Sequence, residues 1–410
     1  MTPTDRPAIR DFLRARQAEM DAMLAALVRI PTDNPPGDLA AAAERVAALL
    51  EGLGLEVERH PVPAAAAEAL GMRSVTNLVV RRRFGAGGPV IALNVHGDVV
   101  PPGEGWTADP YGAEIRDGWM FGRGVAVSKS DIVTYAFALL AVAGTAGAAR
   151  GAAELHITFD EETGGGIGPR WLLEQGISRP DLAIGAGFSY AVTEAHNGCL
   201  HLEVEVTGRS AHAARPWTGV DALEGATRIL SALYAWRPAL AARASAIPGI
   251  GAPQLTVGLI AGGINTNVVP DRVRFRLDRR MVPEESPPAV EAELRALIAE
   301  AAAGGPAVRV DVRRILLAAP LTKLPGGATL TALLCAHASR VMGETVSAGG
   351  VPLYTDARHY AAAGVPIVLY GAGPHSIEEA NAHRADERLR LADLHKAAEV
   401  VALTLADLLA

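Results

Sequence analysis

Two rhythms of strand and helix run along this 410-residue chain, and the place where one gives way to the other constrains its fold most. Two helical stretches come first, "IRDFLRARQAEMDAMLAALVRI" and "LAAAAERVAALLEGLG". Strand-like runs then alternate with helices: "SVTNLVVRRRF", "PVIALNVHGD", the helical "SDIVTYAFALLAVAGTAG", "AELHITFDEE", the helical "PRWLLEQG" and "DLAIGAG". Strands separated by helices favour a parallel sheet with helices on its faces, so this part predicts an α/β domain with a mostly parallel sheet. From residue 199 the order becomes β-α-β-β-α-β, through "LHLEVEVTG", "GVDALEGATRILSALYAW", "PQLTVGLIAGG", "RVRFRLDRRMVP", "PPAVEAELRALIAEAAAG" and "AVRVDVRRI". That order predicts a ferredoxin-like α+β sandwich. The first rhythm resumes after about residue 317, so residues 199–316 read as an insertion into a domain built from 1–198 and 317–410.

Composition narrows the partners. Half the residues are hydrophobic, enough for two ordinary cores, yet the longest apolar runs fall short of the roughly 20 residues a membrane span needs. The net charge of −7 comes from 38 basic and 45 acidic residues that are well mixed, which leaves no basic face for nucleic acid. A small-molecule partner is expected. The N-terminal residues carry charges throughout and no apolar signal-type core, so the expected location is cytoplasmic. Cys199 and Cys335 lie too far apart in sequence to suggest a disulfide framework.

Ionisable residues gather just beyond the ends of expected strands, where open α/β sheets place their ligands. In "NVHGDVV", His96 and Asp98 point to one side of an extended segment, so the carboxylate can orient the imidazole, as is usual behind a metal-bound histidine. In "HITFDEETGGG", Asp160, Glu161 and Glu162 follow a buried strand and precede a glycine loop, the position for a catalytic base beside a metal ligand. "EEANAHRADERL" carries His383 in a polar loop. Within the insertion, His212 sits in "RSAHAARP", Asn267 in "GGINTNVVPD" and Arg280 in "RLDRRMVP"; "YTDARHY" supplies Arg358. Arginine is the side chain whose planar fork best matches a substrate carboxylate.

In their order and spacing these stretches resemble the aminoacylase, carboxypeptidase and diaminopimelate-desuccinylase superfamily of two-metal amidohydrolases. "HGDVVPPGEGWTADPYGAEIRDGWMFGRG", "DEETGGG", "SAHAARP", "GGINTNVVPD", "TDAR" and "GAG…NAHRADE" carry the likeness, which runs from "RIPTDNPPGD" to the C-terminus. The resemblance implies a catalytic domain interrupted by a lid through which two copies form a homodimer. It also implies that His96 binds a first metal, that Glu162 and His383 bind a second, that Glu161 is the general base and that Asp98 supports His96. By the same likeness His212 stabilises an oxyanion, while Asn267, Arg358 and, less directly, Arg280 grip the substrate.

Two departures alter that expectation. Where the family places a metal-bridging aspartate after Gly-Arg-Gly, this sequence has Val127, and where it places the first metal's carboxylate, Ala186. Two dications about 4 Å apart repel by roughly 16 kcal/mol at an effective dielectric of 20, which a bridging carboxylate normally offsets. At most one divalent ion (Zn, Mn or Co) is therefore expected, held by His96, Glu162 and His383; a metal-free site is the alternative. The expected function is hydrolysis of a small N-acyl amino acid or dipeptide-like substrate. The competing readings are a metal-independent lyase, isomerase or cyclase that uses Glu161 and Glu162 as acid and base, and a non-catalytic binding protein. Ser128 and Lys129 beside the lost bridge admit a serine–lysine nucleophile, against which Ser130 or Asp131 reads as a helix cap.

Overall fold

The computed structural model describes residues 4, 6–145, 149–305 and 307–410. The chain separates into two compact units, one formed by Met1–Glu194, Lys323–Gly349 and Thr355–Ala410, the other by Ala195–Thr322 and Gly350–Tyr354.

The first unit is built on an eight-stranded sheet. Its strands run, edge to edge, Val57–Pro61, Thr76–Gly85, Gly151–Thr158, Val90–His96, Leu182–Gly185, Ile367–Leu369, Val192–His196 and Ala348–Val351. The four central strands pair in parallel. Antiparallel pairing enters at the margins, where Thr76–Gly85 meets Gly151–Thr158 and Ile367–Leu369 meets Val192–His196. The cause is burial. Every residue of Gly151–Thr158 is buried, as are all but the first of Val90–His96, so these strands are covered on both faces and read as nearly unbroken apolar runs. The helix Lys129–Thr145 is buried along most of its length and packs with Leu391–Leu408 into the same core. The expected continuation of the first of these to Gly147 lies outside the described residues. The first N-terminal stretch forms two helices, Pro7–Arg14 and Gln17–Val28, divided by a turn in which the Arg16 N–H donates to the Leu13 carbonyl.

The second unit carries a four-stranded antiparallel sheet in the order Gln254–Gly262, Arg272–Met281, Gly198–Thr207, Arg309–Ala318. Two helices, Ala222–Trp236 and Pro287–Ala303, give the β-α-β-β-α-β order that the sequence predicts. They bury Ala222, Ala226, Ile229 and Leu233, and Val290, Leu294 and Ile298, at helical spacing. These residues share a core with Leu200, Leu202, Val204, Phe275 and Leu277. Asp221 caps the first helix, accepting from the Leu223 and Glu224 N–H groups at 2.8 and 3.1 Å. Among the described residues no helix is long and apolar enough to cross a membrane.

Candidate active site

Parallel strands place their C-terminal ends on one edge of a sheet, so the loops after His96, Thr158, Gly185 and Leu369 gather there. Asp98, fully buried, organises them. Its carboxylate accepts the Glu161 and Glu162 backbone N–H groups at 3.3 and 3.1 Å and the Asn34 side-chain amide at 2.9 Å. The His96 Nδ1 donates to the Asp98 main-chain carbonyl at 3.0 Å and lies 3.4 Å from its carboxylate. With Nδ1 engaged in this way, Nε2 is the ring nitrogen left for a ligand.

Asp160, Glu161 and Glu162 are successive in sequence and face different surroundings. Asp160 is fully buried and accepts from the Ile167 and Gly168 N–H groups at 2.7 and 2.9 Å. A Cβ on Gly168 would lie 2.0 Å from its Oδ1, so only glycine allows this approach. Glu161 and Glu162, in the short turn Glu161–Thr163, are half-buried. One nitrogen of His96 and one carboxylate oxygen each of Glu161 and Glu162 lie within 4.8 Å of one another. His383, in a left-handed backbone conformation, sets Nε2 3.4 Å from Glu162 Oε1 but stands outside that three-residue cluster.

The electrostatics follow from crowding. Burial pushes Glu161 up to about 7; the charge on His96 opposes this, and those on Glu162 and Asp98 add to it. Burial alone would lower His96, but the hydrogen bond to Asp98 and the charges of Glu161, Asp98 and Glu162 hold it well above its ordinary value. Asp356, which sequence reasoning missed, is buried with neither carboxylate oxygen hydrogen-bonded among the described residues. Burial and then the charges of Glu161 and Asp160 raise it well above the usual carboxylate range. Its only signal was its place two residues before Arg358 in "TDAR".

Arg358 anchors the glycine turn. Buried, it donates to the Thr355 carbonyl at 2.7 Å and to the Gly164 carbonyl, fixing the turn that carries Glu161 and Glu162. A polar network steadies the helix Ala357–Ala362 that carries Arg358: His156 Nδ1 contacts the Tyr360 hydroxyl at 2.7 Å, and its Nε2 lies 3.2 Å from Glu154, which also binds Arg81 and Ser178. Burial would raise Glu154, but the His156 hydrogen bond and charge, with Ser178 and Arg81, bring it down to about 2. An ordinary glutamate titrates near 4.3, so this carboxylate stabilises the fold fully above that pH. Its contribution of roughly 3 kcal/mol is lost as pH falls toward about 2. In acid unfolding followed by circular dichroism, Glu154→Gln should flatten that part of the profile.

Val127 and Ala186 are half-buried and pack against the apolar core. The Ala126 and Val127 N–H groups donate to Glu387 Oε1 at 3.1 and 3.3 Å, while Glu387 Oε2 takes a 2.6 Å bond from Arg123. Both charges are 1% exposed. This pair ties the His383 loop to the glycine turn. Removing one partner strands a buried charge, so Glu387→Gln should cost about 3–5 kcal/mol in thermal or denaturant melts.

The serine–lysine and helix-cap readings both fail on geometry. Lys129 Nζ donates to the Ile30 carbonyl at 2.7 Å, and burial brings the amine down to about 7. Ser128 Oγ donates to the His96 carbonyl at 2.9 Å, and Ser130 Oγ faces the Ala126 carbonyl at 3.5 Å. The helix already begins at Lys129, and the buried Asp131 carboxylate accepts from Gly187 and Ala372 N–H groups at 3.2 and 2.7 Å, pinning two strand-end loops. Burial pushes that carboxylate up to about 7.

In the second unit, His212 is exposed and bridges Val268, while the neighbouring Ala213 N–H donates to the Asn267 carbonyl at 3.0 Å, so His212 and Asn267 share one loop pair. Arg280 directs Nε at both oxygens of Asp278, each at 3.1 Å.

Comparison with known proteins places this arrangement. The family profile described as Peptidase family M20/M25/M40 matches residues 92–407. A second profile, BetI-type transcriptional repressor, C-terminal, matches residues 4–80, less than a fifth of the chain, which here include, among the described residues, four helices, the strand Val57–Pro61 and the start of Thr76–Gly85. A succinyl-diaminopimelate desuccinylase of Rhizorhabdus wittichii is 30% identical, with 89% of this chain and 92% of the relative aligned. An acetylornithine deacetylase of Myxococcus xanthus is 29% identical over 88% and 90% of the two chains. The fold is similar to the M20 family metallo-carboxypeptidase Sso-CP2 of Sulfolobus solfataricus, with a TM-score of 0.77 at 16% identity, covering 95% of this chain and 98% of that one. By the extent of the profile match and of the aligned desuccinylase, the chain belongs to peptidase family M20/M25/M40.

Proposed function

We propose that this protein hydrolyses the amide bond of a small N-acyl amino acid or dipeptide-like substrate, with Glu161 as general base. The observation that carries the reading is a carboxylate pushed up to about 7, set within 4.8 Å of a histidine and a second glutamate on a platform fixed by Asp98. A base poised near neutral pH takes a proton from water and can still give it up. Water oxygen attacks the carbonyl carbon as its proton passes to a Glu161 oxygen. The C–N bond then breaks and Glu161 returns the proton to the departing nitrogen, leaving an acid and an amine. Names among the relatives support acylated amino acids as the substrate class.

The donor set fits one divalent ion and not two. His96 and Glu162 would hold zinc, manganese or cobalt, and His383, 3.4 Å from Glu162 but outside their cluster, would close inward to complete a two-histidine, one-carboxylate site, while Val127 and Ala186 offer no donor to a second ion. When bound, such an ion polarises the scissile carbonyl. The apolar corners also favour a second reading, metal-independent proton transfer by Glu161 and Glu162 in a lyase, isomerase or cyclase. His212 and Asn267 are proposed to hold the substrate's polar end, and two copies to pair through the inserted unit in the cytoplasm. The test is a panel of N-acyl amino acids and dipeptides given to metal-stripped and metal-reloaded protein, with products read by mass. Hydrolysis adds water; unchanged product mass overturns the hydrolytic reading in favour of the second.

A further inference from the structure

A second group of metal-type donors lies in the inserted unit. Cys199 and His201 are two residues apart on Gly198–Thr207, so both side chains leave the same face of the sheet. Asp278 stands directly across from His201, and Arg280 across from Cys199, on the neighbouring antiparallel strand. Cross-strand neighbours on one face are the closest pairs a sheet offers. Here Cys199 Sγ lies 3.5 Å from Asp278 Oδ1, and His201 Nε2 lies 3.3 Å from Asp278 Oδ2. All three donor atoms fall within 4.8 Å of one another. A tetrahedral ion with metal–sulfur bonds of about 2.3 Å and metal–nitrogen or metal–oxygen bonds of about 2.0–2.2 Å sets its donors roughly 3.3–3.7 Å apart. Each Asp278 oxygen already stands at that distance from one of the other two donors, Oδ1 from Cys199 Sγ and Oδ2 from His201 Nε2.

We propose that Cys199, His201 and Asp278 form a binding site for a single borderline-soft divalent cation, zinc or cobalt, on the strand face of the inserted unit. Thiolate, imidazole and carboxylate together select such ions over magnesium or calcium, which take oxygen donors alone. Three protein ligands leave a fourth position for water. Arg280 now supplies the positive charge at Asp278, with Nε 3.1 Å from each oxygen. Both partners of that pair are about one-third exposed, so the contact is weak and gives way easily. On release the guanidinium keeps a resting place near the Tyr354 ring, whose centroid is 5.8 Å away. In binding, the Cys199 S–H bond breaks, its proton goes to solvent and the sulfur bonds the metal, so apparent affinity rises with pH.

The site is independent of the hydrolytic reading and separable from it, because the His96, Glu161 and Glu162 cluster contains no sulfur. The full-length protein titrated with Co2+ should develop a near-ultraviolet thiolate-to-cobalt charge-transfer absorption whose final amplitude corresponds to one sulfur-bound ion per chain. Cys199→Ser should abolish that absorption, and His201→Gln should raise the half-saturating Co2+ concentration by about tenfold or more. No charge-transfer band in the parent protein overturns the proposal. So does a band that survives Cys199→Ser, which would assign the sulfur to Cys335. Should Cys199→Ser fail to fold, His201→Gln decides alone, and an unchanged half-saturation point defeats the site.

Discussion

Replacing Glu161 with glutamine should lower kcat on the best N-acyl substrate by about 10²–10⁴-fold, the usual contribution of a positioned general base, with KM nearly constant. The change keeps the shape of the side chain and removes its capacity to take a proton. It should leave the fold intact, because Asp98 grips the Glu161 and Glu162 backbone N–H groups and not their carboxylates. Neutralising one member of a crowded acidic cluster should, if anything, raise Tm slightly. Steady-state kinetics with a parallel thermal melt check both halves. An unchanged kcat in a folded variant would remove Glu161 from the reaction.

The second large effect concerns charge at two corners. Restoring carboxylates with Val127→Asp and Ala186→Glu together should raise the divalent metal bound at the His96 cluster from the proposed single ion per chain to two. A pair of dications about 4 Å apart carries roughly 16 kcal/mol of repulsion at an effective dielectric of 20, and two added anions offset most of it. The measurement is elemental analysis after dialysis against zinc, made in a Cys199→Ser background so that sulfur-bound metal is not counted. A count that does not rise would mean these two residues do not set the stoichiometry. Because Val127 and Ala186 are only half-buried, their replacements keep access to water and the fold should tolerate them.

Both predictions concern residues that the sequence singles out, and the reason is local. His96, Glu161 and Glu162 follow directly on buried strands, so apolar runs mark where they stand, and parallel pairing brings those strand ends together. The inserted unit was legible for a similar reason, since its helices bury residues at helical spacing over an alternating strand such as Arg272–Met281. What could not be read depends on partners distant in sequence. The Arg358 guanidinium holds the Gly164 carbonyl, 194 residues away, a contact that no local pattern announces. Asp131 had the local pattern of a cap, but its acceptors are spent on Gly187 and Ala372. Cys199 reaches Asp278 only through the antiparallel register, which no single-strand pattern reveals. The antiparallel margins of the large sheet escaped notice because strand direction leaves no mark on apolar content.

Asp98 has a consequence for anyone designing inhibitors. One buried carboxylate bolts together three stretches of chain, at Asn34, at His96 and at the start of the Glu161 turn. A floor fastened in this way does not reshape itself around each new compound. Differences in potency within a chemical series should therefore track how well each compound is already shaped for the floor, and stiffening the compound will gain more than enlarging it.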